Sequence, residues 1–239
     1  MNKKIILSTI AFTLLGSAAA VFAQGQQAAP PMSFFVAANP SGTGNLGGLE
    51  GADRICQTAA AAAGRGNSTW HAYLSQQARG TTPAVNARGR IGNGPWYNAK
   101  GQLIASNVAD LHGDQQRDRN NIQRGTALDE KAKEVPGPGQ QGVQNEHDVL
   151  TGSDSDGRAF SDGLDHTCNN WTSDAMTIPV QGNNANNVPP ERARAMLGHM
   201  DRTGGGNISW NAAHMSQGCS KASLNATGGA GRLYCFAIN

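Results

Sequence analysis

The side chains able to do chemistry here are four cysteines, six histidines and a short run of aspartates. Cys56 stands early, in a segment of helical periodicity. Cys168, Cys219 and Cys235 fall in the last third. An even number of cysteines in an exported chain points to disulfides, and four allow three connectivities, between which spacing does not choose. The histidines lack H-x-x-x-H and H-E-x-x-H spacing. His166, His199 and His214 lie in the C-terminal third, where a converging zinc site is the alternative, and each reads first as an ordinary surface or half-buried side chain.

Leu150 to Gly157 carries Asp154 and Asp156, with Asp162 and Asp165 close behind. Oxygen donors at alternate positions suit Ca²⁺, so Asp154 and Asp156 are the pair a calcium ion would use. The segment lacks the closing Glu of an EF-hand loop, and Asp-Gly pairs also make turns. Gly42-Thr43-Gly44-Asn45-Leu46-Gly47 matches a dinucleotide-binding spacing. No acidic residue follows at the distance a ribose requires, and no parallel strand-helix-strand pattern continues, so it reads as a connecting loop. No G-x-S-x-G elbow, paired carboxylates or triad stands out, which argues against an enzyme.

Trp171 and Trp210 sit among amides and hydroxyls: Asn169-Asn170-Trp171-Thr172-Ser173 and Asn207-Ile208-Ser209-Trp210-Asn211. An aromatic face flanked by such groups can stack on a sugar ring and bond its hydroxyls. Trp171, beside Cys168, reads as core. Trp210, flanked by Gly204-Gly205-Gly206 and asparagines, reads as the stacking platform, with Asn211, Asn170, His199, Asp201 and Arg202 as its polar companions.

Positioning these groups falls to short elements. Ser33–Ala38 is a strand. Leu49, Ala52, Ile55, Cys56, Ala59, Ala60 and Ala63 recur at helical steps, and Gly64 stops the helix. Trp70–Leu74 alternates as a strand, Ala87–Ile91 is a short helix or turn, and Gly94–Asn98 is a turn into an extended Gly101–Ala105. Val135–Gly142 is a Pro/Gly-rich loop within one domain, not a boundary. Beyond Val149 come short extended runs between Gly/Asn/Ser loops.

The N-terminus carries the export signal. Met1-Asn2-Lys3-Lys4 is basic, Ile5–Leu15 is almost wholly apolar, and Ala18 to Ala23 ends in small residues. Residues 1–23 read as a secretory signal peptide and 24–32 as a disordered lead, leaving a domain over 33–239. The apolar run is too short for a membrane span. The formal net charge of +2 includes Lys3 and Lys4, so the remainder is nearly neutral, which argues against nucleic acid as a partner. With 31 glycines and few aromatics, the composition suits a loop-rich fold pinned by disulfides and held in a secreted or periplasmic compartment.

An early strand, a helix carrying the first cysteine and a late cysteine trio ending in Tyr234-Cys235-Phe236 resemble the C-type-lectin-like domain. Gly47–Cys56, Thr69–Ser75 and Cys168–Ser173 resemble phrases of its endostatin-like branch, which includes secreted bacterial lectins. The resemblance implies an α+β, loop-rich fold with Cys56 paired to Cys235 and Cys168 to Cys219. It implies carbohydrate as the partner, without catalysis; the alternative is a structural or adhesive protein using the fold for protein contacts. The chain departs from the calcium-dependent sugar binders. Neither E-P-N nor Q-P-D precedes the second cysteine, and Ala212 follows Trp210-Asn211 where that family has Asp.

Overall fold

The computed structural model describes residues 29–113, 119–176 and 193–239. The signal-peptide segment and most of the lead, residues 24–28, lie outside them. The rest of the lead runs into the domain: Met32 is buried against the core, and its carbonyl accepts a hydrogen bond from Arg65 Nε.

The architecture is mixed α/β, with several short strands, few helices and two disulfides. Its axis is the C-terminal strand. Phe34–Val36 forms β1, Gly48–Ala62 forms α1, Trp70–Ala72 forms β2 and Asp148–Leu150 forms β5. Met196–His199 is β6, His214–Met215 is β7 and Gly229–Ala237 is β8. They build a six-stranded sheet in the order β1-β8-β5-β6-β7, with β2 also on β8. Phe35 and Ala72 both face Cys235 in register, so β1 and β2 flank the end of β8 on opposite edges. β5 runs parallel to the earlier part of β8, placing Val149 beside Arg232 and Leu150 beside Leu233. A small hairpin joins β3 (Trp96–Tyr97) to β4 (Leu103–Ala105); the sequence had suggested only a turn at Trp96. A short helix α2 (Val108–His112) follows.

β8 is buried along its whole length, so both faces are covered and its side chains alternate between two cores. Leu233, Cys235 and Ala237 join Phe35, Leu74 and the small-residue face of α1. Tyr234 and Phe236 join Phe34, Val36, Tyr73, Trp96 and Trp210. The helix buries Gly51, Ala52, Cys56 and Ala60, side chains small enough for close approach to the sheet. Polar groups then bolt it to β2. Gln57 Oε1 accepts from Trp70 N and Asp53 Oδ1 from Ala72 N, at 3.0 and 2.9 Å. At its C-terminus Gly64 adopts φ 75°, and the N–H of Arg65 returns to the Ala60 carbonyl, the stop the glycine foretold.

Two disulfides form: Cys56–Cys235 fastens α1 to β8, and Cys168–Cys219 fastens two loops together. These are the pairs the resemblance implied. Among the described residues no helix is long and apolar enough to cross a membrane.

Candidate functional site

Among the described residues, the loop after β5 carries the longest run of positive-φ backbone without glycine. Cys168, Asn169, Asn170 and Trp171 all have positive φ, between 47° and 65°, a full left-handed turn without glycine. Such a turn costs roughly 1–2 kcal/mol per residue and needs external support. The disulfide holds one end, and Trp171 Nε1 donates to Ser75 O at 2.7 Å. Between them the Asn170 side chain pairs with the backbone of Gln77 through two hydrogen bonds, both of 2.9 Å.

Gln77 in turn sets the next loop. Its side chain donates to Leu164 O at 2.8 Å and accepts from His166 N at 2.7 Å. That pins Phe160–His166 and opens a cleft of about 350 Å³ lined by Gln77, Arg79, Phe160, Ser161 and Leu164. Phe160 lies face to face on His166, with ring centroids 3.8 Å apart, and stays half exposed. Among the described Phe, Trp and Tyr side chains, only Phe160 and Tyr97 are not buried. Arg79 reaches Asp165 at 3.2 Å along the rim. His166 Nε2 bonds Asp162 at 2.9 Å. Burial pushes the Asp162 carboxyl up, but the bonds from His166 and Leu164 N–H outweigh it and hold it below its ordinary value.

A second cluster sits where β5, β6 and β7 meet. Asp148 opens β5 with its side chain fully enclosed. Its Oδ1 lies 3.3 Å from His147 Nε2, 3.2 Å from His199 Nε2 and 3.6 Å from His214 Nε2. The His147 and His199 rings stack at 4.4 Å, and His214 meets His199 edge-on at 4.9 Å. His147 Nδ1 is 2.9 Å from Asp201 Oδ1. Asp201 also accepts from Arg124 and Thr203 N. Burial raises the Asp201 carboxyl, yet the hydrogen bonds from His147 and Thr203 prevail and bring it down to about 2.

These placements correct several expectations. Trp210 is fully buried between Tyr73, His112 and Tyr234 and offers no ring face to a sugar. A large indole among small polar neighbours looked exposed in sequence, but in a chain poor in aromatics it is the core that claims it. Asn211 is buried too, its Nδ2 close to Tyr73 Oη and the carbonyls of Asp154 and Ser155. Asn170 braces the left-handed turn. His199 and Asp201 belong to the interior cluster, and Arg202 is turned toward Ile122 O and Asn120. The six residues therefore do not form one open surface. Asp154 Oδ1 accepts from the N–H groups of Asp156 and Arg158 at 2.9 and 2.8 Å, capping a turn. Among the described residues the metal-capable grouping is His147, Asp148 and His199, and Asp154 and Asp156 are not in it.

His147, His199 and His214 thus converge, contrary to the reading of His199 and His214 as separate side chains, whereas His166 goes to the cleft. The one signal in sequence was His147-Asp148 opening the apolar run Val149-Leu150, a carboxylate where a buried strand begins.

No family model matches the chain, and no curated protein matches it.

Proposed function

We propose that this is an exported, non-catalytic carbohydrate-binding protein of C-type-lectin-like build, and that the sugar sits in the Phe160 cleft rather than on Trp210. The observation that carries this reading is the cleft itself. A half-exposed phenyl ring is held flat on an imidazole, in a space of about 350 Å³ that Gln77, Arg79 and Ser161 also line. That volume is at the small end of ligand sites, and an apolar face ringed by a few fixed polar groups suits a sugar ring. The disulfide pairing supports the fold part of the reading.

A glycan array with the purified protein tests it, followed by titration of the best ligand. Phe160→Ala should weaken that ligand about tenfold while the melting temperature holds. Unchanged binding by that variant refutes the cleft.

A protein-contact role has its own support. A groove of about 470 Å³ runs beside α1, lined by Ala37, Leu46, Ile55, Ala59 and Ala62 with Arg54 at its edge. A silent array, with a protein partner lost on Ile55→Glu, would favour that alternative.

A further inference from the structure

We infer that His147, Asp148, His199 and His214 form a binding site for a first-row divalent transition-metal ion of the zinc type. The site is independent of the glycan reading.

The argument begins with hydrogens. His147 Nδ1 faces the Asp201 carboxylate and His214 Nδ1 faces the Met215 carbonyl, at 2.9 and 3.1 Å. Both partners can only accept, so each Nδ1 carries a proton, which leaves Nε2 as the nitrogen that can present a lone pair inward. Those lone pairs point at Asp148, which also has only lone pairs to offer. Both Asp148 carboxylate oxygens and both His199 nitrogens lack a hydrogen-bond partner, although all are buried. Acceptors facing acceptors in a closed interior are costly unless a proton or a metal cation lies between them, and the absence of any hydrogen bond at the Asp148 or His199 side chain favours the metal.

The spacing fits. Tetrahedral bonds of about 2.0–2.1 Å place neighbouring ligand atoms roughly 3.3 Å apart. Asp148 Oδ1 stands 3.2 to 3.6 Å from the three imidazole nitrogens. The ligand atoms of His147, Asp148 and His199 lie within 4.8 Å of one another. Imidazoles with a single carboxylate suit zinc, copper, nickel or cobalt. Calcium and magnesium require a shell of oxygens that the cluster does not offer.

The surroundings are also those of a metal site. Asp201 holds the His147 tautomer and is itself held by Arg124 and Thr203, the outer partner that ligating histidines commonly keep. His214 is the outermost member, its side chain 34% exposed, while the other three are nearly or wholly enclosed. His147, Asp148 and His199 already meet the ligand spacing, whereas His214 stands outside that grouping and would move inward to complete the shell.

The test uses purified protein stripped with chelator, with circular dichroism confirming its fold. Calorimetric titration should show one Zn²⁺ per chain and a raised melting temperature. Co²⁺ should give the strong visible bands of a tetrahedral nitrogen-oxygen site, a signature that a merely structural cluster would not produce. Asp148→Asn should abolish both, and His214→Ala should weaken them. Asp201→Asn should lower Zn²⁺ affinity on the order of 10- to 100-fold by releasing His147. If Asp148→Asn fails to fold, the Co²⁺ spectrum of the unaltered protein and its weakening in His214→Ala decide the matter. Failure of the folded, stripped protein to take up either ion overturns the site and leaves a network of protonated histidines around a carboxylate. Retention of Zn²⁺ by folded Asp148→Asn also overturns it.

Discussion

Asn170 pairs with Gln77 as a strand would: its Oδ1 accepts from the Gln77 N–H and its Nδ2 donates to the Gln77 carbonyl. One side chain thus joins the left-handed turn at Cys168–Trp171 to the segment that shapes the Phe160 cleft. Asn170→Ala removes both bonds and puts a residue with a Cβ penalty and no local hydrogen bonding at φ 53°. The expected loss is about 2–3 kcal/mol in urea denaturation. Asn170→Gly, which tolerates the backbone, should lose less. Equal stability of all three proteins would mean that the disulfide alone supports the turn.

Gly198 in β6 leaves no space for a side chain. A Cβ there would lie 1.7 Å from the Trp210 carbonyl oxygen and 2.3 Å from its carbon, both backbone atoms. Gly198→Ala should therefore destabilise the protein by about 3 kcal/mol or more, with the melting temperature as readout. A neutral result would show that the Trp210–Asn211 segment moves aside freely.

Trp210→Ala should behave as a core truncation. Its indole packs against Tyr73, His112 and Tyr234, and the expected cost is about 3–5 kcal/mol. Near-native stability with lost glycan affinity would restore it as a binding residue.

Removing Cys168–Cys219 by paired serine substitution relaxes a loop of separation 51 and should cost about 4 kcal/mol in the chain-entropy model. Non-reducing peptide mapping should recover this pair and Cys56–Cys235. A Cys219–Cys235 peptide would contradict the fold.

The Asp162–His166 contact gives a pH signature. The Asp162 carboxyl is depressed in the folded protein relative to its ordinary 3.8. The unfolded chain therefore binds its proton first as pH falls. The stabilising contribution is present above pH 4 or so and is lost as pH drops through the folded value. Asp162→Asn should make the acid limb of a stability-against-pH curve shallower, without changing the curve near neutrality by a comparable amount. An unaltered acid limb would show that the contact is not stabilising in solution.

Local pattern was enough for much of the scaffold. The strand at Phe34–Val36, the helix ending at Gly64 and the strand at Trp70–Ala72 follow from periodicity and a glycine stop, because each is specified by residues a few positions apart. The disulfide pairs were legible only through resemblance. The sites were a different matter. Trp210 looked exposed because its neighbours in sequence are Ser and Asn, yet burial depends on neighbours in space, and Tyr73 and Tyr234 come from far along the chain. Phe160 drew no reading from the sequence, because Gln77, which shapes its loop, lies more than eighty positions earlier. His147-Asp148, His199 and His214 share no motif spacing, since β5, β6 and β7 bring them together by sheet order rather than by chain distance. Composition and periodicity by themselves determined the first strands and the long helix, the disulfide-bonded class and the export expectation. Only the tertiary structure decided which aromatic faces solvent and which imidazoles meet one carboxylate, because both depend on long-range pairing along β8 and β5, where side-chain burial and strand register are settled together.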